Sequence, residues 1–252
     1  DGPVKSWVSE LRAWLLDHGS RDQDAEGKTG FVRIAKAGPV TDMRAVGVSN
    51  GVLKKRAADF SRAHPEMDVL DLEEGLRELL TSDRIIEFWI LSCYIFERYR
   101  RRFSPDLWRQ LVSNWIPRID HWAPADHLCI NVLGHFQLEA EQVAEVAAWG
   151  DSDNFWMRRL SIVVYIKQVR LRPEAADQVL RNVRARIGDD NYYVRKAIPW
   201  LLREASKYRP LEVEEFLQEY IRSVSKTELR EASKRLDENS VGALLVLYDR
   251  NG

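Results

Sequence analysis

Apolar residues recur at helical spacing along almost the whole chain. Residues 4–17 place Trp7, Leu11 and Leu15 on one face, at i, i+4 and i+8. The same spacing predicts helices near residues 49–64, 69–80, 83–101, 105–116, 122–136, 138–149, 153–169, 173–187, 190–206, 210–224, 226–237 and 240–249. No alternating stretch is long enough to require a sheet, so the pattern predicts an all-α protein.

Short breaks rich in Pro, Gly and Asp separate the predicted helices, for example "SPD", "GDSD", "IGDDN" and "YRP". Connections this short keep neighbouring helices antiparallel, which predicts about six helical hairpins. Residues 18–49 are rich in Gly and Asp and predict a loop with a short helix near "GFVRIAKA". We therefore expect one domain over residues 1–252, with a variable N-terminal part (1–45) and repeats over 46–252.

One segment returns after 37 residues. "DNFWMRRLSIVVYIK" at 153–167 is followed by "DNYYVRKAIPWLLRE" at 190–204, and each copy has Asp-Asn, two aromatic residues and two cationic residues. A repeat of this length indicates stacked hairpins whose inner helices line a concave groove. The two helices should then face the same groove, although Asp153 and Asp190 are equally explained as helix caps.

The amino-acid composition limits how the protein could bind nucleic acid and in which cellular compartment it functions. The net charge is −1, so a nucleic-acid footprint must come from local clusters of cations. One cluster, "RYRRRF" (98–103), is either a solvated face or a DNA-facing surface. The two cysteines, Cys93 and Cys129, imply no disulfide framework and fit a reducing cytosol. No signal peptide and no apolar run near the ~18 residues of a membrane span is apparent.

Candidate chemistry lies in the stretches 119–128, 153–160 and 195–204. Trp122 and Asp126 are four residues apart and share one helix face, and Trp200 and Arg203 are related in the same way at a spacing of three. A carboxylate, two indoles and two guanidinium groups from adjacent repeats would converge in the groove. The alternative is two core tryptophans with surface salt bridges.

These residues resemble the AlkD-like DNA alkylation repair glycosylases, which are built from HEAT-like repeats. Members carry a Trp with an Asp four residues later, then a "DNxWxxRxAI" helix and a "KAIxWxLRE" helix. Here these are Trp122 and Asp126, "DNFWMRRLSI" and "KAIPWLLRE". "VGVSNGVLKKRAADF" (46–60) resembles the family's Gly-containing turn and basic helix. The resemblance covers roughly residues 45–210, and the order and spacing of the motifs agree.

The resemblance implies a HEAT-like solenoid that excises cationic N3- or N7-alkylated purines from double-stranded DNA by hydrolysing the N-glycosidic bond. It implies a monofunctional enzyme without metal or organic cofactor and without flipping of the damaged base. Asp126 would stabilise the sugar cation and orient water, and Trp122 and Trp200 would contact the deoxyribose. The expected DNA contacts are cationic residues of the two repeat helices: Arg158, Arg159, Lys196 and Arg203. We expect a monomer in the bacterial cytosol or associated with the nucleoid.

The sequence differs from the family pattern at several positions, and a second function is compatible with it. Ala123-Pro124 stands where the family commonly has an Asp after the first Trp, Pro199 precedes Trp200, and residues 24–46 differ most. A non-catalytic module that binds DNA structure or a protein partner is the alternative function; it would need the arginines but not Asp126. The histidines and cysteine at positions 121, 127, 129 and 135 match no standard zinc spacing.

Overall fold

The computed structural model describes residues 5–19, 41 and 43–251. Within these ranges the chain is helical, and no β-strand occurs beyond an isolated bridge between Arg44 and Ile85. The helices are α1 (Ser6–His18), α2 (Asn50–Ala63), α3 (Val69–Ser82), α4 (Ile86–Arg98), α5 (Pro105–Asn114), α6 (Trp122–Asn131), α7 (Ala140–Trp149), α8 (Phe155–Leu171), α9 (Ala176–Arg186), α10 (Tyr192–Ala205), α11 (Pro210–Glu219), α12 (Lys226–Ala232) and α13 (Glu238–Asn251). The predicted all-α class is confirmed.

The helix boundaries differ from the predicted ones mainly where the last turn of a predicted helix is a 3₁₀ helix in the structure. α4, α5 and α6 are each followed by a 3₁₀-helical turn, at Arg100–Arg102, Ile116–Arg118 and Leu133–His135. Such turns satisfy the last carbonyl groups of a helix with shorter-range hydrogen bonds, and the hydrophobic period continues through them. The predicted short helix near "GFVRIAKA" lies outside the described residues.

The described residues form two compact units, one within Asp1–Phe136 and the other within Gln137–Gly252. In the N-terminal unit, α2, α4 and α6 pack side by side as one row, and α1, α3 and α5 form a second row. α4 is central, and all its residues from Ile86 to Phe96 are buried. This central position explains its nearly continuous apolar sequence, because a helix covered on all sides exposes no polar face.

In the C-terminal unit, α8, α10 and α12 pack side by side as one row. A second row consists of α9, α11 and α13. α8 and α10 begin 37 residues apart and are adjacent, which confirms that the repeated segment marks equivalent helices of successive hairpins. Asn154 and Asn191 cap them, each accepting a hydrogen bond at 2.9 Å from the backbone N–H two residues ahead. The caps are thus the asparagines and not Asp153 and Asp190.

None of the described helices has the length and apolar character needed to cross a bilayer. The stacked helical hairpins are confirmed within each unit. The concave groove, the HEAT-like assignment and the single domain over 1–252 stay predictions.

Candidate functional site

The start of α6 presents Trp122 and Asp126. The His121 ring caps the helix, since its Nδ1 accepts a hydrogen bond from the backbone N–H of Ala123 at 3.0 Å. Pro124 lies in the first turn, where a missing N–H breaks no helical hydrogen bond, so this departure from the family pattern is compatible with the helix. Ala123 and Pro124 are buried, whereas Trp122 and Asp126 keep accessible surface. One face of α6 thus combines an indole and a carboxylate, separated by about 6 Å along the axis.

The residue after Asp126 is held in its neutral form. The His127 ring packs edge-on against Tyr94 with 5.5 Å between ring centroids, and the Nζ of Lys54 lies 5.2 Å from the same tyrosine ring. Burial lowers the pKa of His127 to about 4; the charge of Lys54 acts in the same direction, and Asp126 and Glu97 act against it. At neutral pH the imidazole therefore carries no charge that would neutralise Asp126.

The first cationic position of each repeat ties one hairpin to the next. The Nε of Arg158 donates to the Oδ2 of Asp189 at 2.7 Å, and its Nη1 donates to the carbonyl oxygen of Ser152 at 2.9 Å. Arg195, 37 residues later, donates from Nη2 to the Oε2 of Glu228 at 3.0 Å. Arg158, predicted to bind DNA, is thus engaged in a contact between repeats.

Arg159, also predicted to bind DNA, lies between α8 and α10. Its side chain donates to the backbone carbonyl oxygen of Tyr193, and the residue is only 6% exposed. The aromatic pair at the start of α8 packs around the same tyrosine: Trp156 lies 4.7 Å and Phe155 5.9 Å from Tyr193, between ring centroids. The repeated aromatic positions therefore contribute to packing between hairpins.

α10 carries the other three predicted site residues. Trp200 is partly buried, and Lys196 is exposed, with its Nζ 5.6 Å from the Tyr192 ring centroid. Arg203 is partly exposed and its Nη1 donates to the Oε1 of Glu231 on α12. These three residues are three or four positions apart, so they follow one helix face.

A buried carboxylate fixes the end of α10. Glu204 is fully buried and lies within 4 Å of four cations, with nitrogen–oxygen distances of 3.0 Å to Arg170, 3.1 Å to Lys207, 3.4 Å to Arg235 and 3.7 Å to Arg203. Burying an ionised carboxylate is costly unless cations surround it. Glu204 therefore joins α8, α10 and the turn after α12, and it orients Arg203 from one side.

An open depression of about 610 Å³ lies beside Trp200. Its lining residues come from α10, from α12 and from the turn that follows: Lys196, Pro199, Trp200, Thr227, Glu228, Arg230, Glu231 and Lys234. The residues on the α12 side had not been predicted from the sequence. The available signal was "KTELREASK", in which Thr227, Arg230 and Lys234 follow i, i+3, i+7 spacing.

The histidines and the cysteine at positions 121, 127, 129 and 135 do not assemble a metal site in the part of the chain that the structure describes. His121 caps α6, Cys129 is fully buried, and His135 pairs through Nε2 with Glu97 at 3.2 Å. All four arginines of the "RYRRRF" cluster are exposed, and Arg98, Arg100 and Arg102 donate hydrogen bonds to neighbouring protein groups. The cluster is thus in part a set of structural contacts.

Rows of stacked helical hairpins define a helical-repeat protein, which carries an accessible indole–carboxylate pair on α6 and a cationic face on α10. A family model described as DNA alkylation repair enzyme matches residues 15–236, and the chain belongs to this family. Its structure is similar to that of a predicted DNA alkylation repair enzyme from Enterococcus faecalis, with a TM-score of 0.64 and 16% sequence identity over 92% of this chain and 96% of that chain. At this identity the likeness shows the fold. Comparison with curated proteins finds no match.

Proposed function

We propose that the protein is a monofunctional DNA glycosylase that removes cationic N3- or N7-alkylated purines from double-stranded DNA. Membership of the family supports a role in alkylation repair. The observation that carries the proposal is the accessible pair on α6, Trp122 and Asp126, on a helix of which six of the ten residues are buried. A module that only binds would have no use for a carboxylate on a surface that must approach phosphates.

The reaction needs little from the enzyme at the leaving group. When the bond between C1′ and the purine nitrogen breaks, its electron pair goes to the alkylated base, which leaves as a neutral molecule. The deoxyribose becomes an oxocarbenium-like cation. Water then adds its oxygen to C1′ and loses a proton, giving an abasic site. The Asp126 carboxylate stabilises the sugar cation and accepts that proton directly or passes it to solvent.

Aromatic faces suit the same transition state. Trp122 and Trp200 both keep accessible surface. Contact of an indole face with the sugar cation is worth about 0.5–2 kcal/mol. Because the cationic base leaves without protonation, the reaction requires no pocket that surrounds the base. We therefore propose excision without flipping of the nucleotide out of the duplex, in contrast to most base-processing enzymes.

Backbone contacts are proposed for the cationic residues of α8 and α10. The exposed side chain of Lys196 supports direct phosphate contact, which positions the protein without reading sequence. Arg158, Arg159 and Arg203 already bind protein acceptors, so a phosphate contact at any of them requires exchange of these hydrogen bonds. We propose Lys196 as the primary contact and Arg158, Arg159 and Arg203 as supporting contacts.

The test is release of free base from a duplex that carries a single 7-methylguanine or 3-methyladenine. Excess protein gives single-turnover rates, and Asp126→Asn is the matched variant, because it keeps the shape of the side chain and removes its charge. Wild type should release the alkylpurine and leave an abasic site, with the variant much slower. Binding of the lesion duplex without release of base would refute the glycosylase and favour the non-catalytic binding module.

A further inference from the structure

The depression between α10 and α12 contains three exposed cations: Lys196, Arg230 and Lys234. Within the described residues, no carboxylate lies within ion-pair distance of any of the three. Most other arginines of this unit differ, because they donate to carboxylates, as Arg195 does to Glu228. The cationic charge of the depression is therefore available to a ligand.

The acidic residues of the depression do not cancel this charge. Glu228 accepts hydrogen bonds from Arg195 and from the backbone N–H of Ser225 at the start of α12, at 3.0 and 2.7 Å. Glu231 pairs with Arg203. Each lining carboxylate is thus neutralised by an arginine that does not itself line the depression. The charges of the three exposed cations are therefore not cancelled, and they give a positive local potential beside Trp200.

We propose that Arg230 and Lys234 extend the DNA-binding face of α10, so that this depression, with Lys196 on its α10 side, takes successive backbone phosphates of duplex DNA between α10 and α12. The choice of DNA as the ligand rests on the proposed function. Thr227 lines the same depression, and its side chain has an uncharged hydroxyl donor.

The shape of the site favours a polymer backbone over a small anion. The depression is open, and its cations come from two neighbouring helices of one row, whose axes are typically 8–10 Å apart. Phosphates along one DNA strand follow each other at about 3.4 Å of helix axis. A strand that crosses from α10 to α12 therefore offers a new phosphate to each helix, whereas a single small anion spans neither the distance nor the three cations.

The test compares two double variants on undamaged duplex DNA over a range of salt concentrations. Arg230→Ala with Lys234→Ala should lower the slope of log affinity against log salt by about one unit for each cation removed, because fewer counterions are released. The matched control is Arg181→Ala with Arg250→Ala, which removes the same charge from exposed positions of α9 and α13 in the other row. This control should keep the wild-type slope.

An unchanged slope in the first variant, or an equal decrease in the control, would overturn the proposal. The charge-preserving variant Arg230→Lys with Lys234→Arg should retain the wild-type slope. A lower slope in this variant would indicate a folding defect and not a lost phosphate contact. Thermal unfolding of all variants checks the same point. Because this arm uses undamaged DNA, its failure is distinct from failure of the glycosylase, which appears as absence of base release by wild type.

Discussion

Protonation of His127 should destabilise the folded protein in mild acid, and His127→Gln should remove that part of the pH dependence. The ring packs against Tyr94 near Lys54, and burial lowers its pKa to about 4 from the ordinary 6.5 despite the opposing charges of Asp126 and Glu97. The unfolded chain takes up this proton near pH 6.5, whereas the folded chain does so only near pH 4. Stability from the neutral ring is complete above pH 6.5 and is lost as the pH falls toward 4.

The magnitude follows from the two pKa values. At pH 5 the unfolded histidine is almost fully protonated and the folded one about nine-tenths neutral, which corresponds to a loss of about 2 kcal/mol in the free energy of unfolding. At pH 7 the same calculation gives about 0.2 kcal/mol. Such a loss is a large fraction of the total stability of a typical protein.

Urea unfolding of wild type and His127→Gln at pH 7 and pH 5 measures the effect. Other groups titrate in this range, including Glu87, whose pKa is raised by burial even though it accepts hydrogen bonds from backbone N–H groups. They are present in both proteins and cancel in the difference. Wild type should lose about 2 kcal/mol more than the variant between the two pH values.

Equal losses in wild type and His127→Gln would refute this reasoning. A direct control is the NMR titration of the His127 ring protons in the folded protein. A midpoint near 6.5 there would show that the ring is solvated, and the packing against Tyr94 would then not be the cause of any change in stability.

Four further predictions concern catalysis and DNA binding. Asp126→Asn should slow single-turnover excision on the order of 10²-fold, more for 7-methylguanine than for the more labile 3-methyladenine, with DNA binding retained; wild-type rates on both lesions would remove Asp126 from the mechanism. Trp122→Ala and Trp200→Ala should each slow excision and lower the free energy of unfolding by less than the ~3–5 kcal/mol expected for a core aromatic residue. A loss of stability of that size together with an unchanged excision rate would contradict this. Arg203→Ala should lower the salt slope of DNA affinity by about one unit, and an unchanged slope would rule out that contact. Glu231→Gln should tighten binding in the same titration, because Arg203 loses its acidic partner; weaker binding would show that the pair orients Arg203 for the phosphate.

Local patterns in the sequence determined the helices and their order. The 3.6-residue period of apolar positions, the Pro and Gly breaks and the repeated segment all act within a few residues, so they could be interpreted without a fold. The 37-residue repeat predicted that α8 and α10 are equivalent, and both begin at the same position of the repeat, behind Asn154 and Asn191. The pair of Trp122 and Asp126 on one face of α6 was likewise a matter of helical spacing.

Only the tertiary structure decided which cations remain accessible. Arg158 and Arg159 are adjacent in a basic motif, yet their acceptors are Asp189 and the Tyr193 carbonyl oxygen, 31 and 34 residues away. The partner of Arg203, Glu231, is 28 residues away on another helix. Local spacing contains no information on such partners, so the sequence alone could not separate a contact between repeats from a contact with DNA.

The same limit explains why α12 was overlooked as part of the site. Its basic residues have helical spacing, but a solvated helix face has the same pattern. The basic residues of α12 differ from an ordinary solvated face because Arg195 and Arg203 already neutralise the nearby carboxylates, Glu228 and Glu231. Arg230 is therefore available to bind a phosphate. The available charge on a surface depends on pairing between helices, and this pairing exists only after the hairpins have stacked.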